Sequence, residues 1–504
     1  MPSPDTDHAD RVAWLPWSAD TFARAQADQT PVLLSIGASW CRWSAEMVRT
    51  TYSDPIVCRL IERRFMPVWV DADRRPDISE RYNLGGWPTT AFLTPTGRLL
   101  GGETYVEAGR MAGLLTQVAD AFASRRAELL TQLQPARPDT EAVPAVAAQR
   151  ADDLEAWLAG HLSEQFDPSH AGFGLQSKRV QAPALRFALL RLQDGDMALG
   201  EVASRTLDAI GWGGLYDDVD GGVFRYCAGR DWTAPSVEKL LGVNADTLRL
   251  LLDGWSVLDD TRYRDRAADL IRYVRNTLVD RKVGGFFASQ SADETYYAAD
   301  AAARQRLITP LVDRSVYADG AAKMAMAYVR AAEVFDDSSL LELAVTSLER
   351  VVLDTYQRGN GVGHHLDDDQ SVRGLLVDQV TVSDALLDLY QATDRDVYLD
   401  LAQELMLFAR RTLWDAERGG FNDRAVAEDD VGLLREPVAP FGANCDAARV
   451  LARLSRVADG HDFGEQAAAT LASQITAVTA QGVDAAAWVL ADRELKLPKG
   501  DERQ

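Results

Sequence analysis

The segment Cys41-Arg42-Trp43-Ser44 places a cysteine where a strand gives way to a helix. An apolar, β-type run at 31–34 precedes it, and the residues at 45–49 can start a helix. Backbone N–H groups and the helix dipole favour an anion at such a junction, so the thiolate of Cys41 would be stabilised there. The chemistry that this position predicts is thiol–disulfide exchange.

The fourth residue of this segment limits that chemistry. A dithiol oxidoreductase resolves its mixed disulfide with a second cysteine three positions on, and Ser44 stands there instead. Cys41 could therefore act only as a single thiol. The next cysteine, Cys58, has apolar neighbours in a predicted helix, and we interpret it as a core residue. An active thiol and an inert helix-start thiol both remain open for Cys41.

A second set of candidate groups lies in the later part of the chain. Two carboxylates about 5 to 10 Å apart could act as acid and base on a glycosidic bond, and a single one could move a proton beside a carbonyl. The carboxylates considered are Asp217, Asp218, Glu238, Asp293, Glu294, Asp319 and Asp378. We select Asp217 and Glu238 as catalytic candidates, although a chain with 76 acidic residues supplies many such pairs by chance.

Aromatic, basic and amide side chains near these carboxylates are candidates for substrate binding. Aromatic faces stack on sugar rings, and arginine binds carboxylates through its planar fork. The candidates are Tyr216, Arg225, Tyr226, Trp232, Lys239 and Asn244, with Trp212 as a further pocket wall. The alternative is packing between helices, and Glu238 at a helix start could simply complement the helix dipole.

A metal site is not expected. His364 and His365 are adjacent in the sequence on a predicted exposed loop, and Asp367-Asp368-Asp369 follows them. Adjacent residues do not converge easily on one ion, and no third histidine is nearby. Phosphate-binding loops, dinucleotide fingerprints and serine nucleophile elbows are missing from the sequence, so no cofactor is expected either.

The elements that must position Cys41 alternate between strand and helix. A second apolar strand is predicted at 65–71, strand-like runs flank a turn at 94–97, and a long helix is predicted at 106–133. The segment 134–144 holds three prolines and is typical of a linker. We therefore predict an α/β domain over 1–133 and a linker over 134–150.

From residue 151 onward the pattern is almost entirely helical and loosely repeated. Amphipathic segments end in loops with glycines followed by an aromatic residue; these loops are at 171–174, 221–224, 284–287 and 419–422. Charged segments alternate with segments richer in small and apolar residues, which predicts an outer and an inner ring. About six such hairpins predict an all-α (α/α)6 toroid over 151–504.

Composition and charge exclude some classes of function. The 504 residues are 47% hydrophobic and 26% charged, which predicts a globular chain, and no apolar run is long enough for a membrane span. The net charge of −23, without a basic patch, makes nucleic acid an unlikely partner. Few lysines and many acids suggest a halophilic host or a GC-rich genome. With four widely spaced cysteines and no signal peptide, we expect a cytoplasmic protein.

The first part of the chain resembles thioredoxin-fold proteins. The stretch 81–93 is similar to the segment that carries the cis-proline of that fold, and the resemblance places Pro88 opposite Cys41. Trp40, Trp43 and Trp87 would join Pro88 in a groove that receives an extended protein segment.

Most of the chain is similar to a family in which a thioredoxin-like domain precedes a six-hairpin, glycosidase-like helical domain, the spermatogenesis-associated thioredoxin-domain proteins and their microbial relatives. The matching motifs in the helical part are 206–210, 213–217, Gly221-Gly222, Arg225-Tyr226, Trp232, Pro235, 238–241 and Asn244-Ala245. Family members usually carry Cys-x-x-Cys where this chain ends in Ser44, and histidine where it has Ser236. The family's redox couple and any histidine-based sugar chemistry are therefore not implied here.

Three functions follow as hypotheses. In the first, Cys41 contributes one thiol with a possible redox role, and the toroid binds a carbohydrate-like ligand. In the second, a non-catalytic thioredoxin-like module holds a peptide or protein thiol partner, and the toroid is a scaffold. In the third, the toroid itself is a glycoside hydrolase or a sugar epimerase, although serine at position 236 disfavours the epimerase.

Overall fold

The chain folds into two compact units. The computed structural model describes residues 12–132, 151–366, 372–458 and 460–498. The N-terminal unit comprises Met1–Ala142 together with Arg424–Pro437, and the C-terminal unit comprises Val143–Asp423 and Val438–Gln504. The predicted linker over 134–150 lies outside the described residues.

The N-terminal unit alternates helices and strands. Its elements in chain order are α1 (Ala19–Ala27), β1 (Val32–Gly37), α2 (Arg42–Arg49), α3 (Pro55–Arg64), β2 (Met66–Asp71), α4 (Pro76–Tyr82), β3 (Thr89–Leu93), β4 (Leu99–Glu103) and α5 (Ala108–Gln132), which is kinked at Arg125. Capping agrees with the sequence, since Asp54 accepts from the first N–H groups of α3 and Pro55 occupies its first turn.

One four-stranded sheet, in the order β2-β1-β3-β4, forms the centre of this unit. Strand β1 runs parallel to β2 and antiparallel to β3, and β4 is antiparallel to β3. All six residues of β1 are buried, which explains its nearly continuous apolar sequence. The predicted thioredoxin-like fold is confirmed.

The segment Arg424–Pro437 departs from the predicted division of the chain. We predicted a toroid over all of 151–504, whereas this segment packs with the N-terminal unit. The Tyr82 hydroxyl donates to the Gly97 carbonyl at 2.6 Å and accepts from the Leu433 N–H at 2.8 Å. Arg81 donates to the carbonyls of Leu433 and Glu436.

A buried carboxylate joins the same segment to α4. Asp77 accepts two hydrogen bonds from Arg75 at 2.9 Å, and the Arg424 guanidinium lies 3.7 Å from it. Burial alone would raise the pKa of Asp77, but these two guanidinium groups outweigh it and hold the pKa below its usual value. Residues that are distant in sequence therefore complete the surroundings of α4.

The C-terminal unit consists of two rings of helices. The outer helices are α6 (Ala151–Gln165), α8 (Met197–Trp212), α10 (Thr261–Thr277), α14 (Ser338–Thr355), α16 (Asp396–Leu413) and α18 (Phe463–Gln474). The inner helices are α7 (Ala182–Gln193), α9 (Leu241–Leu258), α13 (Ala318–Phe335), α15 (Leu376–Thr393), α17 (Phe441–Val457) and α19 (Ala486–Lys496). Two short helices, α11 (Glu294–Tyr297) and α12 (Ala301–Arg304), lie in the loop between α10 and α13.

The inner helices close into a ring. Each packs against the next in the order α7, α9, α13, α15, α17, α19, and α19 packs back on α7. Their residues form one continuous hydrophobic core. The predicted (α/α)6 toroid is confirmed, including the assignment of the small, apolar segments to the inside.

Two kinds of connection join the rings. Where α9, α13 and α15 end, the chain turns at once into the next outer helix through an aspartate in the left-handed conformation, namely Asp259, Asp336 and Asp394. The return connections from outer to inner helices are longer and contain the glycine-rich loops. Aspartate tolerates the left-handed region better than most residues, so the short turns are encoded locally.

The remaining regular structure is short. Strands of two residues are found at Tyr226–Cys227, Pro235–Ser236, Lys239–Leu240, Ser289–Gln290, Val312–Asp313, Trp414–Asp415 and Gly420–Phe421, and 3-10 helices at Gly432–Arg435 and Ile475–Ala485. Within the described ranges, none of the helices combines the length and apolarity that crossing a bilayer requires.

Gly432 provides a test of the packing of Arg424–Pro437. Its φ is 60°, and a Cβ there would meet the Tyr82 hydroxyl and lie 2.6 Å from the Gly97 carbonyl oxygen. We expect Gly432→Ala to lower the free energy of unfolding by about 1–3 kcal/mol more than Gly85→Ala. Gly85 also has a positive φ, but a Cβ there would meet nothing within 4 Å. Denaturant unfolding followed by tryptophan fluorescence measures the unfolding free energy of both variants. Equal losses of free energy would contradict the close packing of Gly432 against Tyr82 and Gly97.

Candidate functional site

Cys41 caps the start of α2 and lies opposite the cis peptide bond between Trp87 and Pro88. Its thiol donates to the Trp87 carbonyl at 3.4 Å, and the residue is 5% exposed. The prediction that Pro88 is cis and faces Cys41 is confirmed. The thiol is thus placed beside backbone that an extended peptide could approach.

Ser44 is used to hold the turn around the thiol. Its hydroxyl accepts from the Ala38 N–H at 3.3 Å, and the residue is buried. A resolving thiol is therefore replaced by a structural hydrogen bond. Cys58 is buried in α3, as predicted, and its thiol donates to the Tyr52 carbonyl at 3.1 Å.

The predicted tryptophans differ in exposure. The Trp40 indole N–H donates to Asp73 at 2.7 Å, and its ring lies edge-on to Trp87 with centroids 5.6 Å apart. Trp43 is 50% exposed and packs against Tyr105 at 5.2 Å. Trp43 is thus the aromatic surface of this group that a partner could contact directly.

In the C-terminal unit, Asp217 belongs to a buried ion-pair network. Lys239 Nζ lies 2.7 Å from Asp217 Oδ2, and Arg304 Nη1 lies 2.7 Å from the same oxygen. Burial alone would raise the pKa of Asp217, but hydrogen bonds from Arg304 and Lys239 hold it below the usual value. Burial lowers the pKa of Lys239 to about 8. Both charges therefore have partners within the protein.

The position of Asp217 repeats around the toroid. Asp167, Asp217, Asp280 and Asp415 each follow an outer helix, and each accepts from backbone N–H groups two or three residues on. A basic side chain contacts each carboxylate; these are Lys178, Lys239, Arg350 and Arg418. A carboxylate that recurs in four loops favours a structural role for Asp217 over a catalytic one.

Other predicted site residues are also held within this network. Glu238 forms a close ion pair with Arg225, whose guanidinium stacks 4.8 Å from the Tyr226 ring. The Asn244 amide accepts from the Val223 N–H at 2.9 Å and donates to the Val223 carbonyl at 3.1 Å.

The aromatic candidates Tyr216 and Trp232 are buried, at 4% and 3% exposure, whereas Trp212 is 38% exposed. Burial raises the pKa of Tyr216 to about 12, so its phenol is neutral near pH 7. The Trp232 indole donates to the His170 carbonyl at 2.9 Å. The burial of both rings favours the alternative that they pack between helices.

Asp218, Asp293 and Glu294 lie apart from the network of Asp217. Asp218 is 70% exposed at its side chain and pairs with Arg266 at 3.0 Å. Asp293 caps α11 by accepting from the Tyr296 N–H at 2.9 Å, and Glu294 is exposed. None of these three groups is brought together with Asp217 and Glu238 as a facing acid–base pair in the described part of the chain.

His364 and His365 are buried, so the predicted exposed loop is wrong. His364 Nδ1 lies 2.9 Å from Asp378 Oδ1, and burial raises the pKa of Asp378 although His364 opposes this. Ligand atoms of Asp319, His364 and Asp378 lie within 4.8 Å of one another, so these three residues could hold a metal ion. Asp367-Asp368-Asp369 lies outside the described residues.

An axial cavity of about 180 Å³ lies inside the inner ring and receives side chains from all six inner helices. The lining residues lie towards the N-terminal end of each inner helix, where the glycine-rich loops join the helices. Its charged lining residues are Arg186, Asp246, Arg249, Lys323, Asp384, Asp446 and Arg449. The site that the ring encloses is therefore polar and highly charged.

A paired layer of charge forms the floor of this cavity. Asp384 accepts from Arg449 at 3.2 Å and from Arg453 at 2.6 Å. Burial would raise the pKa of Asp384, but these guanidinium groups hold it far below the usual value. Arg453 also pairs with Asp388 at 2.8 Å, and Arg249 lies 3.6 Å from Asp388.

None of the eight substrate or catalytic candidates predicted between Tyr216 and Asn244 lines the cavity. The charges that do line it were missed, although the sequence carries a signal for them. Asn-x-Asp-x-x-Arg is found at 244–249 and again at 444–449, in both cases at the start of an inner helix. Charged residues at this spacing on an otherwise apolar helix share a face, which could have identified them.

The fold defines a thioredoxin-like unit combined with an (α/α)6 helical toroid. The solved structures that it resembles include cellobiose 2-epimerase from Bacillus thermoamylovorans B4167, with a TM-score of 0.52 and 9% identity over 64% of this chain and 85% of that one. D-mannose isomerase gives a TM-score of 0.52 and 14% identity over 65% and 87% of the two chains. At these identities the likeness establishes the fold.

Sequence comparison confirms the predicted family resemblance. Residues 5–138 match the family described as Thioredox_DsbH, protein of unknown function, DUF255. Mouse spermatogenesis-associated protein 20 is 30% identical over 312 residues, which are 56% of this chain and 39% of that protein. An uncharacterized protein of Caenorhabditis elegans is 26% identical over 318 residues, 41% of its length. The chain thus spans about two fifths of the curated relatives that it matches.

The neighbouring residues Asp217 and Asp218 test the structural interpretation. Asp217→Asn removes one charge of a buried pair and leaves Lys239 and Arg304 without their anion, so we expect a loss of about 3–5 kcal/mol in unfolding free energy. Asp218→Asn removes an exposed partner of Arg266 and should cost less than about 1 kcal/mol. Denaturant unfolding at pH 7 provides the comparison.

The same pair gives a pH dependence as a second readout. Because the folded pKa of Asp217 is lowered, its contribution is complete above the unfolded pKa of about 3.9 and is lost as the pH falls towards the folded value. The difference in unfolding free energy between wild type and Asp217→Asn should therefore become smaller below about pH 4. A stable Asp217→Asn variant that has lost only ligand binding would instead support a catalytic or binding role.

Proposed function

We propose that the toroid binds a carbohydrate-like small molecule in the axial cavity. The observation that carries this proposal is that all six inner helices contribute side chains to one enclosed polar space. Few polar groups placed at the centre of a ring can orient a ligand from every side. The sugar epimerase and isomerase folds that the toroid resembles support a carbohydrate as the ligand class.

The size of the cavity favours a single sugar unit. Pockets for drug-sized ligands measure roughly 300–1,000 Å³, and a cavity of roughly 150 Å³ holds one six-membered ring. The axial cavity measures about 180 Å³. Carboxylates and guanidinium groups on its walls would accept from and donate to hydroxyl groups, which suits a monosaccharide better than an apolar ring.

Calorimetric titration and thermal shift with a carbohydrate panel test this proposal. The panel includes mannose, cellobiose, sugar acids and sugar phosphates. A ligand of the folded state at about 100 times its Kd stabilises by about 2.7 kcal/mol, so a rise in Tm should accompany binding. Binding of at least one carbohydrate is expected, and a wholly inactive panel would refute the proposal.

Two variants test whether the ligand binds in the cavity. Ala487→Phe and Leu490→Trp fill the space from α19 without changing its charge, and both should abolish carbohydrate binding. Ala468→Phe adds the same ring on the exposed face of α18 and should bind as the wild type does. Equal binding by Ala487→Phe and Ala468→Phe would locate the ligand elsewhere.

A second candidate function concerns Cys41 as a single reactive thiol towards a protein partner. The position of Cys41 at the start of α2 favours it, because backbone N–H groups and the helix dipole stabilise a thiolate there. The Cys41 thiolate would attack a disulfide of the partner, form a mixed disulfide and release the other sulfur as a thiolate. With Ser44 bonded to the Ala38 N–H, no second thiol resolves this product, so the mixed disulfide should persist.

Incubation with oxidised glutathione followed by mass spectrometry tests the thiol. We expect glutathione on Cys41 and little on the other three cysteines. Cys41 caps the start of α2, whereas Cys58 packs within the apolar core of the N-terminal unit. Burial raises the pKa of Cys227 to about 12 and that of Cys445 well above its usual value. Cys41→Ser provides the control. If Cys41 reacts no faster than Cys58 in the folded protein, the thiol is inert and this function is refuted.

A further inference from the structure

We propose that the ligand of the axial cavity is a small polyhydroxylated anion, a sugar carboxylate or a sugar phosphate, whose negative group is bound by Arg186. This inference rests on the proposed carbohydrate function and specifies its substrate class. Carboxylate and phosphate share the chemistry that matters here, namely two or more oxygens that accept hydrogen bonds from one guanidinium.

Arg186 is a cation that forms no direct ion pair in the described part of the chain. It lines the cavity from α7, and within the described ranges it has no hydrogen bond or ion pair to another side chain. Its charged neighbours are the cations Arg249 and Arg449 and the carboxylates Asp253 and Asp384, none of which bonds to it directly. Burial and the charge of Arg249 lower the pKa of Arg186 to about 10, so it stays charged near pH 7 at a cost to the folded state. An anion between these guanidinium groups would remove that cost.

The balance of charge in the cavity agrees with an anionic ligand. Four cations and three carboxylates line it, so its formal charge is 4 − 3 = +1; they are Arg186, Arg249, Lys323 and Arg449, against Asp246, Asp384 and Asp446. The whole chain carries −23. A positive cavity inside a strongly acidic chain is the opposite of what the composition alone would produce.

Not every carboxylate in the cavity is equally available. Asp384 is held by Arg449 and Arg453 through short hydrogen bonds. Asp446 lies 3.8 Å from Arg449, a longer contact, and the described residues give Asp246 no arginine partner. The charges of both act on Lys323, with that of Asp246 the larger. Their oxygens can accept hydrogen bonds from sugar hydroxyls. The cavity therefore offers acceptors for hydroxyl groups and a separate donor for a negative group.

The N-terminal ends of the inner helices also favour an anionic ligand. The lining residues lie towards the N-terminal ends of the inner helices. The N-terminal end of a helix carries a partial positive charge, although the effect falls off beyond the first turn. Arg186 is in the second turn of α7, and Ala182 and Pro183 of its first turn line the same space. The backbone thus adds a smaller contribution to the preference for an anion.

Glucose, glucuronate and glucose 6-phosphate form a matched set of probes for calorimetric titration of the full-length protein. The three share the ring and differ in the negative group. We expect at least one of the two anions to bind tenfold or more tightly than glucose. Preference for glucuronate identifies a carboxylate, and preference for the phosphate identifies a phosphate as the group that the cavity recognises.

Variants at Arg186 connect that preference to the side chain. Arg186→Gln should reduce the affinity for the preferred anion by tenfold or more, whereas Arg186→Lys, which keeps the charge, should retain part of the preference. Arg272→Gln removes an exposed arginine of α10, which pairs only locally with Asp269, and should bind as the wild type does. Because Arg186 is buried and the described residues provide it with no direct ion pair, Arg186→Gln should also raise the Tm of the ligand-free protein, which a purely structural arginine would not do.

The outcomes separate this inference from the function on which it rests. If glucose and other neutral sugars bind as tightly as the anions, the anion specificity is wrong and carbohydrate binding stands. If no carbohydrate binds, both fail. Unchanged anion affinity in a folded Arg186→Gln protein overturns the role of Arg186, as does a lower Tm of that variant without ligand.

Discussion

A side-chain amide near the start of an inner helix fixes the glycine-rich loop that precedes it. Asn244 and Asn444 each accept from the N–H and donate to the carbonyl of one loop residue, Val223 and Phe421 respectively. Gln379 does the same for Val362. Buried backbone groups that lack a strand partner would otherwise be costly, so the amide replaces a missing strand in three places around the ring.

This anchoring determines where the cavity charges stand. The Asp and Arg of each Asn-x-Asp-x-x-Arg motif lie two and five residues after the amide, so the hydrogen bonds that seat the loop also orient the first turns of α9 and α17. At the floor of the ring, Asp384 is satisfied twice over by Arg449 and Arg453. Arg186 is on α7, two helices further round the ring than Arg449, and it forms no direct ion pair within the described ranges. Rigid, fully paired charges next to one that lacks a direct partner are typical of a preorganised binding site.

The sequence predicted those features that depend on local pattern. Helix periodicity and the contrast between charged and small residues separated the outer from the inner ring. The cis bond beside Cys41 was predicted from the resemblance of the residues around Pro88 to a segment of thioredoxin-fold proteins. Function assigned to single acids could not be predicted in the same way. The sequence at Asp217 is the same whether its oxygens hold a loop or transfer a proton. Only the positions of Lys239 and Arg304 in the structure distinguish the structural role from the catalytic one. Likewise, Tyr82 and Leu433 bond across 351 positions, which no local pattern reports.

The late position of Arg424–Pro437 in the sequence has a consequence for folding during synthesis. A ribosome releases the N-terminal residues first, yet the partners of Asp77 and Tyr82 in this segment emerge only after most of the toroid has been made. The thioredoxin-like unit is therefore completed late, and domains that usually fold in order of synthesis cannot do so fully here. Until residue 437 emerges, the nascent N-terminal unit exposes an unfinished surface around α4.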